Sequence, residues 1–231
     1  MKKLFIAGNW KSFKQTREAS QWFDAFEKLQ RETPITRDHL TTVLCPAYTL
    51  MPLAAERIKR GNLPIELGSQ DVSHLGEGAY TGEISAKQIA EFATWTIIGH
   101  SERRRNLGET DALLFGKVKE AKAHSLSIVY CVQDESITVP EGIDVIAYEP
   151  PWAISAVSGG IAQNPESAGR VCEKIVVKYP HIPVIYGGSA TADNVTDFIR
   201  QPAISGVLPG GASLDPEKFF RIMQTMTSFS K

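Results

Sequence analysis

The stretch Ile146–Gly160, "IAYEPPWAISAVSGG", governs how this chain is read. An apolar run ends on a carboxylate, Glu149, and two prolines follow at once. A strand buried on both faces excludes an unpaired carboxylate, because desolvating the ion costs several kcal/mol, so Glu149 is expected at the strand's exit, beside solvent or a ligand. Pro150 and Pro151 lack N–H groups and fix their own φ, which stops the strand in a stiff elbow. The small residues beyond it, Ala153, Ser155, Ala156, Ser158, Gly159 and Gly160, fit a moving flap. An ordinary surface loop whose glutamate caps a neighbouring helix fits this stretch alone equally well.

Working outward, short apolar runs alternate with helix-patterned segments, the signature of repeated βα units and a parallel sheet. Strands are expected at about 4–9, 41–45, 64–69, 94–99, 126–131, 143–149, 182–187 and 204–208, and helices near 16–31, 50–60, 86–92, 109–124, 165–179, 191–199 and 215–228. Asn164-Pro165 and Asp215-Pro216 read as N-caps followed by proline at the first helical position. One interval departs from the pattern. "VQDESITVPEG" after Cys131 leaves room for about one helical turn, where a crossover between parallel strands normally takes a dozen residues or more. Eight strands with parallel crossovers predict a closed (β/α)8 barrel with a shortened crossover between strands 5 and 6; a doubly wound open sheet is the alternative from patterning. Without a linker-like or low-complexity stretch, residues 1–231 are expected to form a single domain.

Composition excludes several classes. The chain has 231 residues, 42% hydrophobic and 22% charged, with a net charge of -1 and no block of like charge, which gives no footprint for nucleic acid or an anionic membrane. Any anionic ligand must therefore be held locally. Asn9 and Lys11 interrupt the N-terminal apolar run too early for a signal peptide, and no segment is long enough to span a bilayer. Cys45, Cys131 and Cys172, odd in number and widely spaced, fit neither a disulfide framework nor a zinc site, so a reducing cytoplasm is the expected location.

In a barrel of this kind the reactive groups stand at the C-terminal ends of the strands. The first strand exits into "AGNWK" with Asn9 and Lys11; the fourth into "IIGHSERRR" with His100, Ser101 and Glu102; the sixth into Glu149. The seventh and eighth exits, "YGGSAT" and "LPGGAS", join glycines to a helix start, where backbone N–H groups attract anions. Each feature has a plain structural reading: a core histidine, a solvated lysine, tight turns. Arg103 and Arg104 are expected to hold the loop through ion pairs. Together, a base, an imidazole, a fixed cation and a phosphate cradle suit proton abstraction beside a carbonyl on a small phosphorylated substrate.

"AGNWK", "IIGHSERR", "AYEP.WAI", "YGGS" and "GGASL", in this order, resemble the motifs of the triosephosphate isomerase family from residue 4 to 214. The resemblance implies a (β/α)8 TIM barrel and the chemistry known for that enzyme, which pairs a glutamate base with a neutral histidine. Glu149 would move the proton between neighbouring carbons of dihydroxyacetone phosphate and glyceraldehyde 3-phosphate, in glycolysis and gluconeogenesis. His100 would polarise the carbonyl and shuttle protons. Lys11 would supply fixed positive charge, Asn9 a hydrogen bond, and Glu102 would orient the group. The phosphate would rest on backbone N–H groups near Ser155, Ser189, Gly210 and Gly211. No metal or organic cofactor is implied.

"SQDVSHLGEGAYTGEIS", Ser69–Ser85, resembles the family's long third loop, which inserts into a twofold-related subunit. Thr81 of one copy would buttress Asn9 and Lys11 of the other, and Glu83 would pair with the other copy's Arg103. A homodimer is expected, with a tetramer as the other assembly, because shortened forms of the family resemble its archaeal members. The chain also departs from the pattern. Ser155, Ala156 and Val157 replace the usual Gly-Thr-Gly of the flap, and Cys131-Val132-Gln133-Asp134 replaces Cys-Ile-Gly-Glu. Two competing readings are another phosphate-binding barrel isomerase or synthase, and a barrel retained as a scaffold.

Overall fold

The computed structural model describes residues 2–153 and 162–229. The strands are β1 Leu4–Asn9, β2 Leu40–Cys45, β3 Glu66–Ser69, β4 Trp95–Ile98, β5 Ser127–Val132, β6 Val145–Tyr148, β7 Val184–Tyr186 and β8 Gly206–Val207. All pairings are parallel, neighbours follow sequence order, and β1 pairs with β8 (Phe5 opposite Gly206), which closes the barrel. That closure excludes the open sheet. Alternate residues of these strands face inward: Phe5, Ala7, Val43, Cys45, Ile97, Val129, Cys131, Val145, Ala147 and Ile185, with Leu208 just after β8, fill the interior.

The helices are α1 Thr16–Glu32, α2 Met51–Arg60, α3 Ala86–Ala90, α4 Ser101–Leu107, α5 Asp111–Ala123, α6 Pro165–Lys178, α7 Val195–Ile199 and α8 Pro216–Phe229. In α1 the buried residues Ala19, Trp22, Phe23 and Phe26 repeat at helical spacing and meet Phe219 and Phe220 of α8, with Trp22 and Phe26 stacked at 4.9 Å. Trp10 and Trp22 donate their indole N–H groups to the Ser213 carbonyl at 3.0 and 3.1 Å, which ties the exit of β1 to the loop after β8. Asn164 caps α6 by accepting the Ser167 N–H, and Asp215 accepts the N–H groups of Glu217 and Lys218 at the start of α8.

The crossover from β5 to β6 is thinner than the sequence suggested. Residues 133–144 make turns and no helix. Val139 and Ile143, both buried, take over the covering role of a helix, and the Val139 N–H donates to the Tyr179 hydroxyl at 2.9 Å. Three further differences are local. The expected helix at 109–124 begins at Asp111, capped by Thr110; the segment near 191–199 is α-helical only from Val195; and α4 was not foreseen. Its sequence, Ser-Glu-Arg-Arg-Arg-Asn-Leu, carries no apolar periodicity, and it ends at Gly108 with φ of 65°, a left-handed C-cap that glycine adopts without strain. Among the described residues no helix is long and apolar enough to cross a membrane.

Candidate active site

Three strand exits bring the predicted groups together. A cavity of about 250 Å³ at the C-terminal end of the barrel is lined by Asn9 at the end of β1 with Lys11 and Ser12 beyond it, Gln70 after β3, and His100, Glu102, Arg103, Asn106 and Leu107 after β4. Asn9 Oδ1 accepts the Lys11 N–H at 2.9 Å, and the Lys11 ammonium meets Glu102 Oε1 at 2.5 Å. Burial alone would raise the Glu102 carboxyl; the Lys11 hydrogen bond, and after it the positive potential around the carboxyl, outweigh burial and hold that carboxyl below its usual range.

His100 occupies the N-cap position of α4, where its Nδ1 accepts the Glu102 backbone N–H at 3.2 Å. A ring nitrogen that accepts an N–H carries no proton of its own, so the imidazole is the neutral tautomer with its hydrogen on Nε2. That Nε2 lies 3.1 Å from Glu149 Oε1. The approach is too poorly aimed for a hydrogen bond, and among the described residues Oε1 has no hydrogen-bond donor. The other oxygen, Oε2, accepts the Ser101 backbone N–H at 2.9 Å.

Glu149 thus stands at the strand exit, as expected, but not beside solvent: its side chain is 0% exposed. The carboxylate is tolerated there because the N-terminus of α4 supplies an N–H and a favourable dipole. Gly187 makes the space, since a Cβ at that position would lie 2.6 Å from Glu149 Cγ. The buried Cys131 thiol is pushed well up, first by burial and then by the charge of Glu149. Sequence reasoning gave Cys131 no place beside the carboxylate; the two meet because β5 and β6 are adjacent and in register.

Residues 4–143 and 139–226 match the sequence model of the family described as Triosephosphate isomerase. The chain belongs to the triosephosphate isomerase family. The two matched segments overlap at residues 139–143, inside the thin β5–β6 crossover. Curated relatives named triosephosphate isomerase include those of Trichormus variabilis, 37% identical over 96% of this chain and 99% of the relative; Synechococcus, 36% identical over 96% and 95%; and Thermus thermophilus, 32% identical over 97% and 99%.

The other triosephosphate isomerase motifs fall as follows. Gly210 packs against Lys11, where a Cβ would lie 3.2 Å from the lysine Cε, and Gly211 faces open space. Ser189 is buried, and both its N–H and its hydroxyl donate to the Ala153 carbonyl at 3.2 Å, so its N–H is already engaged. Ser155, with Ala156 and Val157 of the expected flap, lies outside the described residues. In the third loop Thr81 is exposed. Glu83 accepts from the Ser73 hydroxyl.

Arg103 is paired within its own chain, to Asp71 at 2.8 Å and Glu109 at 2.7 Å, and Arg104 binds Asp111 and the Gly99 carbonyl. The arginines therefore hold the loop, as expected. Sequence reasoning missed their anchor: Lys117, 3% exposed, binds both carboxylate oxygens of Asp71 at 2.7 and 2.6 Å and also binds Glu109. Burial pushes the Asp71 carboxyl above its usual range against the opposing charges of Lys117 and Arg103. No spacing rule links positions so far apart in sequence. Gln70 was missed for the same reason, although the loop containing it was recognised.

Proposed function

We propose that this protein is a triosephosphate isomerase that interconverts dihydroxyacetone phosphate and D-glyceraldehyde 3-phosphate through an enediolate, a step of glycolysis and gluconeogenesis. The observation that carries this reading is the pair His100 and Glu149: a neutral ring with its hydrogen on Nε2, 3.1 Å from an oxygen of a fully enclosed carboxylate. Such a carboxylate is shielded from water and lies within reach of a ring N–H, the arrangement that general-base chemistry beside a carbonyl requires. Glu149 takes a proton from the carbon bearing the substrate hydroxyl and returns it to the former carbonyl carbon, so the net change is isomerisation. To reach substrate it rotates off the Ser101 N–H.

His100 donates its Nε2 hydrogen to the substrate carbonyl and relays a proton between the two enediolate oxygens. A neutral imidazole matches the developing oxyanion in donor strength. The Lys11 ammonium and the Asn9 amide add fixed positive potential where negative charge grows, and Glu102 holds Lys11 in line. The phosphate rests on main-chain N–H groups at Gly210, Gly211, Ser155 and Ser189, the last after exchanging its bond to Ala153. The exposed Gly211 and the contact of Gly210 with Lys11 support that placement.

A second copy completes the site in this reading. Thr81 reaches toward Asn9 and Lys11 of the other copy, and Glu83 toward the exposed part of its Arg103. The exposed side chains Phe13, Tyr80 and Leu107 support a covered face in the assembly, a dimer or a tetramer. The three cysteines, free and buried, suit the reducing cytoplasm.

The test is a coupled assay with glyceraldehyde 3-phosphate against larger sugar phosphates, with phosphoglycolate as competitor. Turnover confined to the triose phosphate, with tight competitive inhibition, is expected. Preference for a larger sugar phosphate selects a different barrel enzyme, and no turnover at all selects a scaffold.

A further inference from the structure

The loop after β1 holds an expensive conformation. Lys11 has φ of 51°, in the left-handed region that an L side chain adopts only where its surroundings over-determine it. Three contacts do so. Asn9 Oδ1 holds the Lys11 N–H at 2.9 Å, Glu102 Oε1 holds the ammonium at 2.5 Å, and Gln70 Nε2 donates to the Lys11 carbonyl at 2.8 Å. The other hydrogen of the same amide is directed at the Cys45 carbonyl, 3.0 Å away, and that carbonyl also accepts the Trp10 N–H at 3.0 Å. With both acceptors being carbonyls, it is the NH2 end of Gln70 that faces them.

The geometry points to Gln70 as a positioning residue for Lys11: from the exit of β3 it clamps the Lys11 carbonyl, fixes the peptide plane beyond the strained residue, and so aims the ammonium into the cavity. This deepens the proposed isomerase reading and rests on it. Asn9 acts on the N–H side of Lys11 and Glu102 on the tip of its side chain, so Gln70 supplies the constraint on the carbonyl side. Without that constraint the peptide between Lys11 and Ser12 relaxes toward negative φ at Lys11. The side chain then leaves its line with Glu102.

The test is a double-mutant cycle. Gln70→Met, which keeps the volume and removes both donors, is made in the natural chain and in Lys11→Ala, and kcat/KM and phosphoglycolate affinity by titration calorimetry are measured for each. Gln70→Asn, which keeps the amide but retracts it by one methylene, is run in parallel so that one poorly folding variant does not decide the outcome. In the natural background a loss of about 10²-fold in kcat/KM is expected, with weaker phosphoglycolate binding. In the Lys11→Ala background no further loss of either is expected, because the group being positioned is gone. Equal losses in both backgrounds, or no loss in either, overturn the assignment. A natural chain that binds phosphoglycolate without isomerising triose phosphate overturns the function proposed above instead, and the binding cycle still reads the coupling of Gln70 to Lys11.

Discussion

Glu149 Oε2 accepts the Ser101 main-chain N–H at 2.9 Å, so the candidate base of β6 is held by the first turn of the helix that follows β4. One carboxylate oxygen is thereby anchored and the other faces His100. Glu149→Asp retracts both by one methylene while keeping the charge. A fall in kcat of about 10²-fold or more, with KM little changed, is expected in steady-state assays. Turnover indifferent to this change would favour the scaffold reading.

Gly187 is the counterpart on β7. A Cβ there would meet Glu149 Cγ at 2.6 Å, closer than side chains tolerate. Gly187→Ala is expected to lower stability by about 1–3 kcal/mol, as overpacking does, and to lower kcat as well because Glu149 is what must move. Chemical denaturation and kinetics on the same preparation check both effects. Unchanged kcat alongside lowered stability would show that the carboxylate tolerates the displacement.

Glu102 sets a pH dependence of stability. Its folded carboxyl titrates below the ordinary value of 4.5, so in that acid window the unfolded chain binds more protons than the folded one. Its contribution to stability is whole above the ordinary value and is lost as the pH falls through the lower folded value. Glu102→Gln should therefore flatten the acid limb of thermal midpoint against pH, with the gap between variant and natural chain shrinking as acid is added. A constant gap across that window would contradict the assignment.

Thr81→Arg places a long cation on the exposed tip of the third loop. A weakly active monomer is expected by sedimentation and assay. A variant that stays associated and fully active would refute the proposed contribution of a second copy to the site.

Burial pushes the Cys172 thiol up to about 12, and it pushes the Cys45 and Cys131 thiols well above their ordinary value too. The thiolate is the reactive form, so at pH 8 the folded protein should react with a chromogenic disulfide reagent far more slowly than the same chain in urea. Rapid labelling of the folded protein would mean that one of these sites opens readily.

The strand exits were readable because an apolar run that ends abruptly in a polar residue has a physical meaning at the level of a few neighbours. Asn9, Lys11, His100 and Glu149 were found that way, as were the N-caps at Asn164 and Asp215. Helix α4 escaped because all but its last residue are polar and it takes its stability from Arg103 and Arg104 reaching Asp71, Glu109 and Asp111. Lys117 escaped because a lysine in a helix pattern is ordinarily solvated, and its burial depends on Asp71, which arrives from β3.

Local sequence thus specified where the strands end in polar groups, where the capped helices α6 and α8 start and which polar groups stand at the rim, since these follow from desolvation cost and backbone geometry over a few residues. Closure of β1 on β8, enclosure of Glu149 under Ser101, and the clamp of Gln70 on Lys11 came from three-dimensional assembly. Each is a contact between segments tens of residues apart or more. Hydrogen bonds and close packing act over a few ångströms in space, and distance along the chain carries no record of them until the barrel has closed.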